Sequence, residues 1–295
     1  GLYRYSQDPS QIYFYHQNLV VYRLIAVHYF AMYCIFAFVI LLYYYLNERP
    51  SIKYQKGIYS LSFVMLAAAL YTGAARMQIA TFLLIIIVFI TWHFSKSKSW
   101  KKLLAYQVLA LSSIIGFALL VPSSKQRLVE TYREWMVFEG LSNRYQTNAR
   151  VFIWGDALKV INNQPLLGTG LGSADDYLYE YLKLEEAEFW RGNTPYTLAS
   201  SHYNYHNAYL QHWAALGLIG FLLFVFCFIW PFFTLEKYSF LAYLMLSILM
   251  VSFITESMLE RQAGTLFFAY FFGMLIANAN NSFRPSALGN YKKPT

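Results

Sequence analysis

Long apolar runs alternate with short polar connections along most of this chain. Seven of the runs approach the roughly 20 residues that an α-helix needs to cross a bilayer. The hydrophobic pattern therefore predicts seven transmembrane helices, and with them an all-α polytopic membrane protein. The predicted spans cover residues 24–46, 57–72, 78–94, 103–121, 216–233, 240–255 and 264–279.

Lysine and arginine in the connections set the predicted orientation, because positively charged short loops stay on the cytoplasmic side. These residues concentrate at 47–56 and 95–102 and in the tail at 280–295. The opposite side then receives residues 1–23, the turn at 72–76, a long loop at 122–205 and the stretch 255–262. An outside N-terminus without a signal peptide predicts further helices upstream of Gly1, in a longer protein.

The long loop has a helical pattern, although it is the longest polar stretch of the chain. LVETYREWMVF at 128–138 and ARVFIWGDALKVI at 149–161 repeat apolar residues at helical spacing, and PLLGTGLG at 165–172 is a Pro/Gly turn between helices. We predict four parts. They are N-terminal transmembrane helices at 1–121, an extracytoplasmic loop domain at 122–205, C-terminal transmembrane helices at 206–279 and a cytoplasmic tail at 280–295.

Composition also favours a membrane protein. Hydrophobic residues make up 58% of the chain and charged residues only 13%, whereas a soluble domain has about 25% charged residues. The net charge of +8 is not gathered in one patch, which argues against nucleic acid as a partner. Cys34 and Cys227 both lie within apolar runs, and they form neither a disulfide framework nor a zinc spacing.

The motif HNAYLQHWAALGLIG at 206–220 places polar groups and glycines at the edge of an apolar run. If the whole motif is helical, one face carries His206, Leu210, Trp213, Gly217 and Gly220. Gly217 would then lie about 16 Å below His206. Glycines on a helix face let another helix or a lipid chain come close. The pattern predicts an imidazole held at the membrane surface over a lipid-accessible groove.

His206 and Asn207, followed after nine residues by Gly217-x-x-Gly220, resemble the signature of the bacterial O-antigen ligase family. That family groups O-antigen ligases, O-antigen polymerases and protein O-oligosaccharyltransferases. The resemblance covers most of the chain, because TGAARMQIATFLL (72–84), NARVFIW (148–154), NQPLLGTGLG (163–172) and TESMLERQAG (255–264) also match in order. It implies a GT-C-like glycosyltransferase.

The chain departs from the family pattern in two respects. Ala80 stands where the family usually has leucine, a space that Ile79 or Leu83 would fill. The resemblance also implies about a dozen spans instead of seven, which agrees with the expectation of further helices upstream of Gly1.

The resemblance implies transfer of a glycan from undecaprenyl diphosphate to an acceptor hydroxyl. Arg76 and Arg150 match the family's arginines and would hold the diphosphate, because a guanidinium fork suits phosphate oxygens. Arg144 competes with Arg150 for this role. His206 would act as general base, supported by Asn207 and the two glycines.

The acidic turn at 255–262 has two interpretations. Glu256 and Glu260 share a face if this segment is helical, and with Arg261 they would form a salt-bridged turn at the membrane surface. Alternatively, Glu256 orients His206 or an arginine, because family members tend to carry an acid here.

Three histidines at 202, 206 and 212 suggest a metal site. His212 would lie about 120° from His206 around a helix, so we predict no metal and no other cofactor. The tyrosine-rich SSHYNYHNAY at 200–209 would either stack on sugar rings or form an interfacial aromatic belt.

These features predict an O-antigen ligase of lipopolysaccharide biosynthesis in the bacterial inner membrane. Its active site would face the periplasm and transfer glycan to lipid A–core oligosaccharide with inversion and without a metal. An O-antigen polymerase or a protein O-oligosaccharyltransferase would use the same donor. A transporter would need paired broken helices at mid-membrane depth, which the sequence lacks. A scaffold protein of envelope assembly is the other non-enzymatic alternative.

Overall fold

The protein is described by a computed structural model that covers residues 25–48, 53–73, 76–95, 100–120, 149–184, 188–191, 194–197, 204–234 and 240–281. Ten α-helices occupy these ranges, with a 3-10 turn at Met258–Glu260. In chain order, α1 to α10 are Val27–Glu48, Lys53–Gly73, Arg76–Ser95, Trp100–Leu120, Ala149–Asn163, Ala174–Leu184, Ala208–Ile229, Pro231–Thr234, Phe240–Ser252 and Gln262–Asn281.

Each of the seven predicted spans overlaps one of these helices: α1 to α4, α7, α9 and α10. Two stretches, Val27–Leu46 and Ala208–Thr234, are long and apolar enough to cross a membrane by length and composition. Shorter apolar helices lie at Met77–Thr91, Phe240–Ser252 and Gln262–Ala277. The helical character of the fold is thus confirmed, whereas seven crossings and the GT-C-like arrangement stay predictions.

The predicted loop domain contains one element that the sequence analysis did not foresee. Strands β1 (Glu188–Arg191) and β2 (Thr194–Thr197) pair antiparallel, with Glu188 opposite Thr197 and Arg191 opposite Thr194. The segments EFWR and TPYT are separated in sequence by Gly-Asn, which is typical of a two-residue hairpin. This local signal was present in the sequence, but the helical periodicity of the residues before it favoured a helical loop domain.

Buried side chains form two clusters that share α7. The larger one joins α1, α3, α9 and α10, with a centre formed by Met32, Ile35, Phe36, Met245 and Leu249. The smaller one joins α5 and α6, with a centre formed by Ile153, Val160, Leu178, Leu182 and Tyr205. Ala208 and Phe228 of α7 belong to the first cluster, and Ala214 and Ala215 to the second. α7 therefore connects the larger cluster to the smaller one.

α7 is broken at Gly217, whose φ of +67° and ψ of −174° are not helical. Two N–H groups of the Pro/Gly turn before α6 dock into this break. The Thr169 N–H donates to the Ala214 carbonyl and the Gly170 N–H to the Ala215 carbonyl, each at 2.9 Å. Carbonyls at the break therefore have backbone partners on the loop, as buried backbone groups require.

α7 also donates a hydrogen bond to the loop. The Leu218 N–H donates to the Pro165 carbonyl at 2.8 Å. A Cβ on Gly217 would overlap the Leu166 carbonyl, and a Cβ on Gly168 would overlap the backbone of Gly217. We call the pairing of residues 165–170 with 214–218 the Gly217 seam. The groove predicted at Gly217 for a lipid chain or another helix is occupied by this loop.

Candidate functional site

His206 lies just before α7 and not on it. The residue that caps the helix is Asn207, whose Oδ1 accepts from the N–H groups of Tyr209 at 2.9 Å and Leu210 at 3.0 Å. His206 has a φ of +44°, a left-handed value that is uncommon outside glycine. Its N–H donates to Oδ1 of Asn204 at 3.1 Å. The helical face predicted for His206 is therefore wrong, because the helix begins two residues later.

Buried anchors hold this turn from both sides. Tyr205 is fully buried, and its Oη donates to the Ala174 carbonyl at 2.7 Å. Its own carbonyl accepts from Trp154 Nε1 at 3.1 Å. On the other side, the Ala208 N–H donates to the Phe253 carbonyl at 2.9 Å. The position of the imidazole is thus fixed jointly by α5, α6 and the end of α9.

The imidazole faces the buried carboxylate of Glu256. Nδ1 of His206 lies 3.1 Å from both Oε1 and Oε2. Glu256 stands in the turn after α9, and its N–H donates to the Ser252 carbonyl at 3.2 Å. Because α9 ends at Ser252 and the 3-10 turn follows, the helical face predicted for Glu256 and Glu260 is wrong. A carboxylate only accepts, so the Nδ1 beside it carries the hydrogen and Nε2 is the acceptor nitrogen.

Two further side chains face the same carboxylate oxygen. Nη2 of Arg150, in the first turn of α5, lies 3.6 Å from Oε2 of Glu256. Nε2 of His28, in the first turn of α1, lies 3.7 Å from it. The Arg150 and His28 side chains are 34% and 29% exposed, so a substrate can reach part of each. We call His28, Arg150, His206 and Glu256 the Glu256 cluster.

The charges of the cluster determine the protonation of its acid. Burial by itself raises the pKa of Glu256, because it penalises the charged carboxylate. The hydrogen bond to His206 and the electrostatic attraction of His28, His206 and Arg150 outweigh burial, and the pKa lies below its ordinary value of 4.5. Glu256 is therefore a carboxylate at neutral pH and acts as a fixed acceptor for the His206 ring.

More than half of the chain matches a known family. The matching family is described as O-antigen ligase, and the match covers residues 61–225. The chain belongs to the O-antigen ligase family. Members of this family are membrane proteins that act as glycosyltransferase-like ligases or polymerases. No curated protein matches the chain.

The family match divides the Glu256 cluster. Arg150 and His206 lie within the matched segment, whereas His28 and Glu256 lie outside it. The cluster therefore adds to the family segment two side chains that approach it from the start of α1 and from the turn after α9.

Arg76 is the first residue of α3, and its side chain lies outside the described part of the structure. Two residues later, Gln78 is buried and its Nε2 donates to Ser252 Oγ at 3.0 Å. Ser252 stands four residues before Glu256. This bond brings the start of α3 to the turn that carries the acid of the cluster. Two other candidates lie outside the described residues: Arg144 and His202.

Asn204 links the second acid of the turn to the cluster. Its Nδ2 donates to Oε2 of Glu260 at 2.7 Å, while its Oδ1 receives the His206 N–H. Burial raises the pKa of Glu260, and the Asn204 hydrogen bond and the charge of Arg261 only partly offset it. Glu260 thus stands at the rim, where its bond to Asn204 supports the loop that positions His206, and the exposed Arg261 acts on it through its charge.

His212 and Gly220 have structural contacts within α7. Nδ1 of His212 donates to the Ala208 carbonyl at 2.6 Å, and its ring stacks on Phe224 at 3.8 Å. In the part of the chain that the structure describes, no three His, Cys, Asp or Glu side chains converge to hold a metal. A Cβ on Gly220 would overlap Leu216, so glycine here makes room for a side chain next to the helix break.

His28 is a member of the cluster that no motif in the sequence pointed to. It stands in AVHYFAMY, which reads as the start of an apolar span. A signal was available, because the predicted topology places this end of the span on the same side as Arg76, His206 and Glu256. An ionisable residue within an apolar span is a functional candidate by default.

Proposed function

We propose that this chain is an O-antigen ligase that transfers glycan from undecaprenyl diphosphate to lipid A–core oligosaccharide at the periplasmic face of the bacterial inner membrane. The observation that carries the proposal is the contact between His206 Nδ1 and both oxygens of Glu256, with Arg150 beside the same carboxylate. A candidate base and a permanent cation thus lie next to each other in a member of a transferase family.

His206 serves as the general base in this mechanism. Glu256 holds the hydrogen on Nδ1, and Nε2 accepts the proton of the acceptor hydroxyl as the hydroxyl oxygen attacks the anomeric carbon. The resulting imidazolium lies against the Glu256 carboxylate, which stabilises its positive charge. The lowered pKa of Glu256 keeps this negative charge in place throughout the reaction.

Arginines receive the leaving group. As the new glycosidic bond forms, the bond between the anomeric carbon and the diphosphate breaks, and its electron pair stays with undecaprenyl diphosphate. Arg150 and Arg76 stabilise this added charge through forked N–H donors. Attack from the face opposite the diphosphate inverts the anomeric carbon. Because a guanidinium is permanently charged, the mechanism predicts activity without a metal.

A transfer assay with the purified full-length protein tests the proposal. Undecaprenyl-diphosphate glycan is offered with lipid A–core, with excess donor alone, or with a peptide acceptor, each in the presence and absence of EDTA. We expect product on lipid A–core, unchanged by EDTA. His206→Ala should lower turnover by about 10²–10⁴-fold. The matched control is His212→Gln, which removes a histidine of the same motif whose contacts among the described residues lie within α7.

The other outcomes are equally specific. A ladder of products from donor alone would identify an O-antigen polymerase, and a glycopeptide would identify a protein O-oligosaccharyltransferase. Wild-type turnover of His206→Ala would refute the proposed base. Loss of activity in EDTA, restored by a divalent cation, would refute the metal-independent mechanism.

A further inference from the structure

Glu256 has more nitrogen neighbours than the orientation of His206 requires. Its Oε2 lies 3.1 Å from His206, 3.6 Å from Arg150 and 3.7 Å from His28. One contact with Nδ1 is enough to fix the tautomer of a histidine. In the proposed function the guanidinium fork of Arg150 turns to the diphosphate, so it is not the group that holds the carboxylate during transfer. His28 is the partner whose role the mechanism above leaves unassigned.

The imidazole of His28 is placed to interact with Glu256 but is not engaged in a hydrogen bond to it. Among the described residues, its Nε2 is buried without a hydrogen-bond partner. A buried donor without a partner is costly, and the separation of 3.7 Å is only slightly longer than a hydrogen bond. A small shift of either side chain therefore gains a hydrogen bond to a charged acceptor.

The helix that carries His28 is firmly held in the bundle. Tyr29 and Met32 on α1 are buried in the larger core. Tyr33 donates from Oη to the Ala263 carbonyl at 2.6 Å, which ties α1 to the start of α10. His28 thus approaches Glu256 from a fixed element that is separate from those of Arg150 and His206.

We propose that His28 is a positioning residue, which holds Glu256 against His206 when Arg150 turns to the donor diphosphate. The Nε2–H of His28 then donates to Oε2 of Glu256. The carboxylate therefore stays in place when the guanidinium moves away and keeps its hydrogen bond with Nδ1–H of His206. This inference rests on the proposed function. It predicts an effect on the chemical step and none on donor binding, because the partner assigned to His28 is Glu256 and not the diphosphate.

Three substitutions at His28 separate a hydrogen-bonding role from a steric one. His28→Ala removes the ring, His28→Phe keeps an aromatic ring without a donor, and His28→Gln supplies an amide N–H at similar reach. We expect kcat to fall about 10–100-fold in the Ala and Phe variants, as for other residues that orient an active side chain. Gln should restore most of kcat. The KM for the donor should stay within about twofold, because uniform binding is unaffected.

Parallel variants keep the outcomes distinct. Arg150→Ala should raise the donor KM, and His212→Gln should leave both constants unchanged. Wild-type kcat in His28→Ala, equal activity of the Phe and Gln variants, or a higher donor KM with unchanged kcat would each overturn the inference. If His206→Ala also keeps full turnover, the proposed function fails as well. If His206→Ala is inactive while the His28 variants are fully active, only the role of His28 fails.

Discussion

The Gly217 seam predicts that one methyl group at Gly217 disrupts the protein. In Gly217→Ala the new Cβ overlaps the Leu166 carbonyl, which is backbone and cannot swing away. The backbone at this position has a φ of +67° and a ψ of −174°, a conformation that only glycine adopts readily. The variant must therefore change the path of α7 or release the loop.

The magnitude follows from the contacts at the seam. A non-glycine residue in this region costs of order 1–3 kcal/mol. Moving the loop endangers three backbone hydrogen bonds of 2.8–2.9 Å, each contributing about 1 kcal/mol. The free energy of unfolding should thus fall by about 1–6 kcal/mol, depending on how many of these bonds are lost. At about 2–4 °C per kcal/mol for a large domain, Tm should fall by roughly 2–24 °C.

The assay measures the Tm of Gly217→Ala in detergent micelles and compares it with the Tm of a matched variant, Gly155→Ala in α5. Gly155 is exposed in the middle of that helix, and nothing lies within 4 Å of a Cβ added there. Gly155→Ala should therefore raise the free energy of unfolding by about 0.5–1 kcal/mol, because alanine favours the helix. The same chemical change then has opposite effects at two positions. Equal Tm values for Gly217→Ala and wild type would refute the reasoning about the seam.

Two predictions concern the cluster itself. Glu256→Gln should lower kcat by roughly 10²–10⁴-fold, because the amide no longer specifies the His206 tautomer or stabilises an imidazolium. Because the pKa of Glu256 is lowered, its charge stabilises the fold at pH values above its ordinary pKa of 4.5. This contribution disappears as the pH falls through the lowered pKa. The Tm of wild type should exceed that of Glu256→Gln at pH 7, and the difference in Tm should close below about pH 4.5. A difference that widens below this pH would contradict the assigned charge. Arg150→Lys should raise the donor KM about tenfold, because an ammonium cannot grip two phosphate oxygens as a fork. An unchanged donor KM would exclude Arg150 from the diphosphate site.

Sequence periodicity located the helices well, because a long apolar run satisfies its own backbone N–H and C=O groups by forming a helix. Boundaries were less accurate, as α7 shows. The motif was predicted to be helical from His206 onward, but the helix begins at Ala208, because Asn207 caps it. His206 and Gly217 were correctly singled out as unusual positions. Their local conformations, a left-handed turn and a helix break, depend on what packs against them and have no signature in spacing alone.

The cluster could be predicted only in part, because its members come from four separate places in the chain. His206 and Glu256 are 50 residues apart, and the family resemblance suggested their pairing without a distance. The sequence left three interpretations of Glu256 open: it would orient His206, orient an arginine, or form a salt-bridged turn with Glu260 and Arg261. The structure brings His206 and Arg150 to the same carboxylate and directs Glu260 to Asn204 instead. His28 was hidden because a single histidine hardly changes the hydropathy of its span.

The shared position of α7 constrains how the protein is made. The small core of α5 and α6 includes Tyr205, Ala214 and Ala215, which are synthesised some 20–65 residues after those helices. During translation the apolar faces of α5 and α6 therefore emerge without their final cover, and the core closes only when α7 is delivered to the same site. Completion of α7 and closure of this small core are therefore one assembly event, so a ribosome stalled before Ala214 leaves the apolar faces of α5 and α6 uncovered.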